Sequence, residues 1–186
     1  MEIRGVIMVE LERTKEEIVK KAGELGTEYE SKYRGCAQCT FLAIVDALRW
    51  GGLEIIPQDT EESLFSGLAL LSGGVGMTGD GSCGAVTAGV LAIGIALGLS
   101  REKLMDIDVR RMAYDTAKNA ILDKYYAKYN SLLCKDIQRK HFGKAWDLTI
   151  PEISEEFLKQ SNGCTIPQTA MWATECILDE LEEGIW

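Results

Sequence analysis

The stretch from residue 73 to residue 99 constrains the fold of this chain more than any other. It begins as a loop whose glycines permit backbone conformations that other residues resist: Gly73, Gly74, Gly76, Gly79 and Gly81. An uncharged run rich in glycine and alanine follows this loop. We interpret the run as a buried helix.

The start and the surface of this helix both carry information. Ser82 is its expected N-cap, which places Cys83 in the first turn, where free N–H groups and the helix dipole stabilise a thiolate. Small residues recur at helical spacing and leave grooves for neighbouring helices. The pairs are Gly84 with Ala88, Ala85 with Gly89, and Gly94 with Gly98. We therefore predict an all-α, single-domain helical bundle over residues 1–186, built around this buried Gly/Ala-rich central helix.

Amphipathic patterns predict further helices before and after the central one. Thr14 and Glu17 form a capping box at the start of the first helix. Asp59 or Thr60 is expected to cap a third helix that leads into the glycine loop. After the central helix, apolar residues at helical spacing predict a long helix over residues 108–129.

The C-terminal part of the chain is predicted to be helical as well. Two shorter helices precede the last one, which Thr165 and Gln168 begin as a second capping box. Signals for strands are confined to residues 6–11 and 53–56, and both stretches are short. The pattern contains no internal repeat and no linker.

Charge and hydropathy exclude several classes of partner. A formal net charge of −9 argues against nucleic acid and anionic membranes, which bind basic surfaces. The longest uncharged segment, residues 81–100, contains too many glycines to face lipid, so no membrane insertion is expected. The N-terminal residues lack the features of a secretory signal, which predicts a cytoplasmic protein.

Six cysteines are many for a cytoplasmic chain of this length, and they lie at positions 36, 39, 83, 134, 164 and 176. In a reducing compartment, such numbers indicate metal ligands or redox chemistry rather than a framework of disulfides. Four of them are predicted at or just before helix N-termini: Cys36, Cys83, Cys134 and Cys164. A shared site where these helix ends meet would supply N–H donors to the sulfurs.

The pattern of cysteines resembles the C-GCAxxG-C-C family of redox-active proteins. The resemblance rests on residues 35–38 (Gly-Cys-Ala-Gln), residues 83–85 (Cys-Gly-Ala), Cys134 and Cys164, and it covers residues 30–182. The last glycine of the family's motif would fall at Ala88. The resemblance implies redox activity without naming a reaction. A similar domain in split-Soret cytochromes implies that the scaffold is compatible with iron–sulfur chemistry.

Three functions remain open from the sequence. In the first, Cys36, Cys83, Cys134 and Cys164 bind an iron–sulfur cluster or a metal ion, and the protein exchanges electrons with a redox partner protein. In the second, the chain is a thiol–disulfide oxidoreductase without a cofactor, using Cys36 with Cys39 or with Cys83. In the third, it is a non-catalytic helical partner protein whose cysteines are core residues.

Two cysteines and three tryptophans complete the set of candidates. Cys39 is additional to the four-cysteine pattern and is a candidate participant in catalysis. Cys176 falls on the apolar face of the last helix, which predicts a core residue. The tryptophans Trp50, Trp172 and Trp186 are candidates for partial exposure and for a homodimer interface.

Overall fold

The structure, a computed structural model, describes residues 11–161 and 164–184. Within these ranges the chain forms helices and no strand, apart from one isolated antiparallel bridge between Ser82 and Leu133. The predicted all-α class is confirmed. The α-helices are α1 (Lys15–Tyr33), α2 (Cys36–Trp50), α3 (Gln58–Ala69), α4 (Gly84–Ala96), α5 (Ile107–Ala117), α6 (Asp123–Tyr129), α7 (Cys134–Phe142), α8 (Pro151–Gln160) and α9 (Ile166–Glu183).

The core is formed mainly by α1, α2, α4 and α9. Helix α4 packs against α2 and α9, and α1 packs against the same two helices. Glycines permit the close approaches: a Cβ at Gly89 of α4 would lie 3.1 Å from Thr169 of α9, and one at Gly26 of α1 would lie 3.0 Å from Pro167. The buried residues of α4 include Ala85, Ala88, Ala92 and Ile93. The Gly/Ala-rich helix is therefore central, as predicted.

The predicted long helix over residues 108–129 is present, with an interruption. Helices α5 and α6 are joined by a π-helical segment, Lys118–Leu122, and a 3₁₀ turn precedes α5. A π segment inserts an extra residue into a helix and changes which side chains face the core. Tyr125 and Tyr129, which follow it, are buried, whereas Tyr126 is exposed.

Among the first helices, one expected start is confirmed and two are corrected. The capping box of Thr14 and Glu17 is present at α1. Helix α4 begins one residue later than expected, so that Cys83 and not Ser82 is its N-cap, because the bridge at Ser82 keeps the backbone extended. Helix α3 begins after Pro57, whose fixed φ suits the residue before a first turn, and not after Asp59 or Thr60.

The capping box predicted at α9 is wrong, although the position of the helix start is right. Thr165 is the N-cap residue, yet its side chain makes no capping hydrogen bond. Its hydroxyl lies instead 3.6 Å from the sulfur of Cys83. A tertiary contact therefore replaces the local one.

The structure also bears on the predicted strands, the expected lack of membrane insertion and the exposure of the tryptophans. Residues 53–56 form no strand, and most of the other strand candidate, together with Trp186, falls outside the described residues. No helix in residues 11–161 and 164–184 has the length and apolar character that crossing a bilayer requires. Trp50 is exposed and Trp172 is half-buried, and the predicted homodimer stays a prediction.

Candidate functional site

Four cysteines on four different helix starts line one cavity. Cys36 is the first residue of α2, Cys83 is the N-cap of α4, Cys134 is the first residue of α7, and Cys164 lies two residues before α9. The cavity that they line has a volume of about 70 Å³, several times what one buried water needs. The convergence predicted from the sequence is therefore present, and the four residues are separated by up to 128 positions in the chain.

Backbone hydrogen bonds place Cys83 and Cys134 next to each other. The N–H of Cys83 donates to the carbonyl of Leu132 at 2.8 Å, and the N–H of Cys134 donates to the carbonyl of Gly81 at 3.0 Å. These two bonds flank the bridge between Ser82 and Leu133. The end of the glycine loop is thus held against the start of α7, and this fixes the two sulfurs on the same cavity.

The glycine after Cys83 makes room for Cys36. A Cβ built on Gly84 would lie 2.6 Å from the sulfur of Cys36 and 2.9 Å from the backbone nitrogen of Ala37. No side chain fits at these distances. Glycine at position 84 therefore allows the starts of α2 and α4 to meet, with the Cys36 sulfur between them.

Hydrogen-bond donors surround three of the four sulfurs. Cys36 accepts from the thiol of Cys83 and from the backbone N–H groups of Gly73 and Gly84. The side-chain amide of Gln138 donates to the sulfur of Cys134 at 3.3 Å, and the hydroxyl of Thr165 pairs with the sulfur of Cys83. Donors of this kind stabilise thiolates and ligated sulfurs.

These contacts give Cys36 and Cys83 opposite acidities. The hydrogen bond from Cys83, together with the N–H groups of Gly73 and Gly84, lowers the pKa of Cys36 to about 6. The same hydrogen bond and burial raise the pKa of Cys83 well above its usual value. At neutral pH the reduced pair is therefore a Cys36 thiolate that accepts a hydrogen bond from the Cys83 thiol.

Burial keeps the other two cavity cysteines protonated in the reduced protein. Burial raises the pKa of Cys134 to about 11, with a further contribution from the negative charge on Cys36. Burial raises the pKa of Cys164 to about 12, and the carboxylate of Glu30 adds to this effect. A cation or a metal centre would reverse this preference, because positive charge favours thiolates.

Cys39 and Cys176 lie outside the cavity. Cys39 is fully buried, and its thiol lies 3.2 Å from the carbonyl oxygen of Tyr29 and 3.1 Å from that of Arg34, at the end of α1. Cys176 is half-buried on α9 and packs against the edge of the core, in agreement with the expectation of a core residue. Cys39 is thus no part of the cavity lining, and its pairing with Cys36 stays a prediction.

The remaining wall of the cavity is mostly apolar. Its large side chains belong to Met77, Ile137, Leu148, Phe157, Leu158 and Ile166. Among the described residues, no three cysteine, histidine or acidic side chains stand close enough to hold a single metal ion. A four-iron cluster makes a different demand, since each of its irons takes one cysteine, and four thiolates around one cavity would match that set of donors.

Three polar residues of the site are not among the candidates predicted from the sequence. Gln138 carries a local signal, because it lies four residues after Cys134 and therefore on the same face of α7. Thr165 was taken only as a cap. Ser72, whose hydroxyl accepts from the N–H of Ala37 and donates to Gln38, carries no local signal, because it contacts α2 only through the fold.

These features define a small all-α protein with a buried four-cysteine site at converging helix N-termini. A comparison with protein families matches residues 34–175 to the family described as "Putative redox-active protein (C_GCAxxG_C_C)". The chain belongs to this family, as its cysteine pattern indicated. No significant match was found among curated proteins or among solved structures.

Proposed function

We propose that the four-cysteine cavity binds an iron–sulfur cluster and that the protein transfers electrons to and from a redox partner. The observation that carries this proposal is that Cys36, Cys83, Cys134 and Cys164 line the same buried cavity. Thiolates are the ligands that iron–sulfur clusters use, and such a cluster supplies one-electron chemistry when bound. Two cysteines would suffice for a disulfide, so the presence of all four favours a cluster.

The surroundings of the sulfurs also suit this role. The N–H groups of Gly73 and Gly84, the amide of Gln138 and the hydroxyl of Thr165 neutralise part of the charge that four thiolates would concentrate. The apolar wall limits the access of water. Because hydrogen bonds and solvent exposure set the potential of a cluster, these residues would tune it.

The experiment compares iron and sulfide content in anaerobically purified and reconstituted protein. We expect visible charge-transfer absorption and stoichiometric iron and sulfide in the wild type. Each of the variants Cys36→Ser, Cys83→Ser, Cys134→Ser and Cys164→Ser should lose most of both. Cys39→Ser and Cys176→Ser are matched controls, since these cysteines lie outside the cavity, and should retain both. Substoichiometric iron and sulfide in the wild type would refute the cluster.

A second candidate function is a dithiol–disulfide couple, which the hydrogen bond between Cys36 and Cys83 favours. The Cys36 thiolate would attack one sulfur of a substrate disulfide, break its S–S bond and release a thiolate. The Cys83 thiol would pass its proton to that thiolate, and the resulting Cys83 thiolate would attack the Cys36 sulfur. The second substrate sulfur leaves as a thiolate and takes a proton from water. The substrate is reduced by two electrons, and a Cys36–Cys83 disulfide forms.

The two candidates differ in what they require of Cys134. A dithiol couple leaves the reduction of a disulfide substrate intact in Cys134→Ser, whereas an electron-transfer centre on four cysteines does not survive that change. Mass spectrometry of the oxidised, non-reduced chain directly detects the disulfide that the dithiol couple requires. A Cys36–Cys83 linkage in a protein that binds no iron would establish the couple.

A further inference from the structure

A polar groove adjoins the cysteine cavity on its α1 and α8 side. It has a volume of about 200 Å³ and is lined by Glu30, Ser31, Arg34, Leu158, Lys159 and Ser161. Glu30, Leu158 and Ser161 line the cavity as well. These three residues line both pockets, so the groove lies directly beside the cavity of the four cysteines.

The groove carries two cations that have no ionic partner in the part of the chain that the structure describes. Within residues 11–161 and 164–184, neither the guanidinium of Arg34 nor the ammonium of Lys159 lies within 4.0 Å of a carboxylate. The chain as a whole carries a formal net charge of −9, so this pair is a local exception. Both residues are exposed, and an anion in the groove can reach them.

Arg34 occupies a backbone conformation that glycine would adopt at lower cost. Its φ of 62° and ψ of 162° lie in a region that is almost restricted to glycine. The structural contact of Arg34 is made by its backbone, because its carbonyl accepts a hydrogen bond from the side-chain amide of Gln38 at 2.8 Å. Among the described residues, its side chain makes no hydrogen bond or ion pair. A strained arginine in place of glycine therefore points to a role for the guanidinium itself.

We propose that this groove binds the carboxylate or phosphate group of a small anionic reactant that reacts with the cysteine site. Arg34 offers a planar pair of donors that matches either anion, and Lys159 adds a second positive charge. Glu30 is a buried residue whose negative charge repels an anion, so the anion binds on the Arg34 and Lys159 side of the groove. This inference rests on the proposed redox function of the cysteines.

The test uses full-length, reduced, metal-free protein and two alkylating reagents of similar size. Iodoacetate is an anion and iodoacetamide is neutral, and mass spectrometry measures the reaction of each with Cys36 at fixed pH. We expect the ratio of the iodoacetate rate to the iodoacetamide rate to fall about tenfold in the variant Arg34→Gln/Lys159→Gln, the effect of two unit charges a few ångströms from an anion. High salt should lower the wild-type ratio in the same way.

Lys103→Gln/Arg111→Gln is the matched control, because these two exposed cations lie beyond the far end of α4 and form no ion pair with any described residue. It should keep the wild-type ratio. Added acetate or inorganic phosphate should slow the iodoacetate reaction, and the stronger competitor identifies the preferred anion. An unchanged ratio in the groove variant, an equal loss of both rates, no competition by either anion, or a Cys36 inert to both reagents would overturn the inference.

The failure of this inference can be told apart from the failure of the proposed function. Suppose that the chain binds no cluster and forms no Cys36–Cys83 disulfide, while the ratio of the two alkylation rates responds as expected. The anion groove is then supported and the redox proposal is refuted. If the site is redox-active and the ratio of the two rates does not respond, only the anion-binding inference is refuted.

Discussion

The sulfur of Cys36 lies against the α-carbon of Gly84, at a point where a Cβ would come within 2.6 Å of it. The cysteine at the start of α2 thus depends on a missing side chain at the start of α4. This contact explains in physical terms why glycine follows Cys83 in the Cys-Gly-Ala segment. Substitution of glycine by alanine, which adds one methyl group, therefore tests the packing of the site.

Gly84→Ala is expected to lower the free energy of unfolding by about 1–3 kcal/mol, because the added methyl overlaps the Cys36 sulfur and the backbone of Ala37. Gly94→Ala in the same helix is the matched control, since the nearest atom to its Cβ is 3.7 Å away. That change should stabilise the protein by up to about 1 kcal/mol through helix propensity. Urea unfolding of both variants measures the difference, and equal effects would contradict the contact.

Arg34→Gly is expected to raise the free energy of unfolding by about 1 kcal/mol. It relieves backbone strain of about 1–3 kcal/mol and loses part of that gain to the greater freedom of glycine in the unfolded chain. Lys32→Gly, two residues earlier and inside α1, should instead destabilise by about 1 kcal/mol. Thermal unfolding of the two variants should therefore shift in opposite directions, and a loss of stability in Arg34→Gly would contradict the strained conformation.

The acidity of Cys36 gives a prediction for the dependence of stability on pH in the reduced, metal-free protein. The pKa of Cys36 is about 6 in the folded chain and near 9 when unfolded, so the unfolded state binds more protons between these values. Stability contributed by Cys36 is therefore present above pH 9 and is lost as the pH falls from 9 to 6. The difference in unfolding free energy between wild type and Cys36→Ser should rise over this range, and a flat difference would refute the lowered pKa.

The helix starts that carry the four cysteines are encoded by local sequence signals, whereas the contacts of Cys39 and Thr165 are not. Capping residues, glycines and helical spacing indicate that four cysteines lie at helix starts, because these signals act within a few residues. The direction in which Cys39 points is set by carbonyl groups at the end of α1, and the role of Thr165 is set by Cys83, which is 82 positions away. Such contacts exist only after folding, so local patterns do not report them.

Gln138 is expected to position Cys134 and to tune the potential of the site. Its amide oxygen accepts from the N–H of Trp146 at 2.9 Å, which turns its NH₂ group toward the sulfur of Cys134. Gln138→Glu keeps the acceptor and replaces the donor by a negative charge, so the midpoint potential should fall. Gln160→Glu on exposed α8 is the control and should leave the potential unchanged. Equal potentials in the two variants would contradict the role of Gln138.

Loss of the hydrogen bonds that Gln138 makes should affect the stability of the fold as well as the midpoint potential. Gln138→Leu leaves the buried N–H of Trp146 without an acceptor, and this should cost about 1–3 kcal/mol of unfolding free energy. Gln160→Leu on exposed α8 is the control and should change the unfolding free energy by less than about 0.5 kcal/mol. Chemical unfolding of the two variants measures the difference, and equal free energies would contradict the hydrogen bond to Trp146.

The most direct measurement is a crystal structure of anaerobically prepared protein with anomalous diffraction recorded at the iron edge. We expect one cluster of iron peaks within the cavity, bonded to the sulfurs of Cys36, Cys83, Cys134 and Cys164, with Cys39 and Cys176 free. An iron-free cavity with four unligated sulfurs, or iron bound elsewhere on the chain, would contradict it.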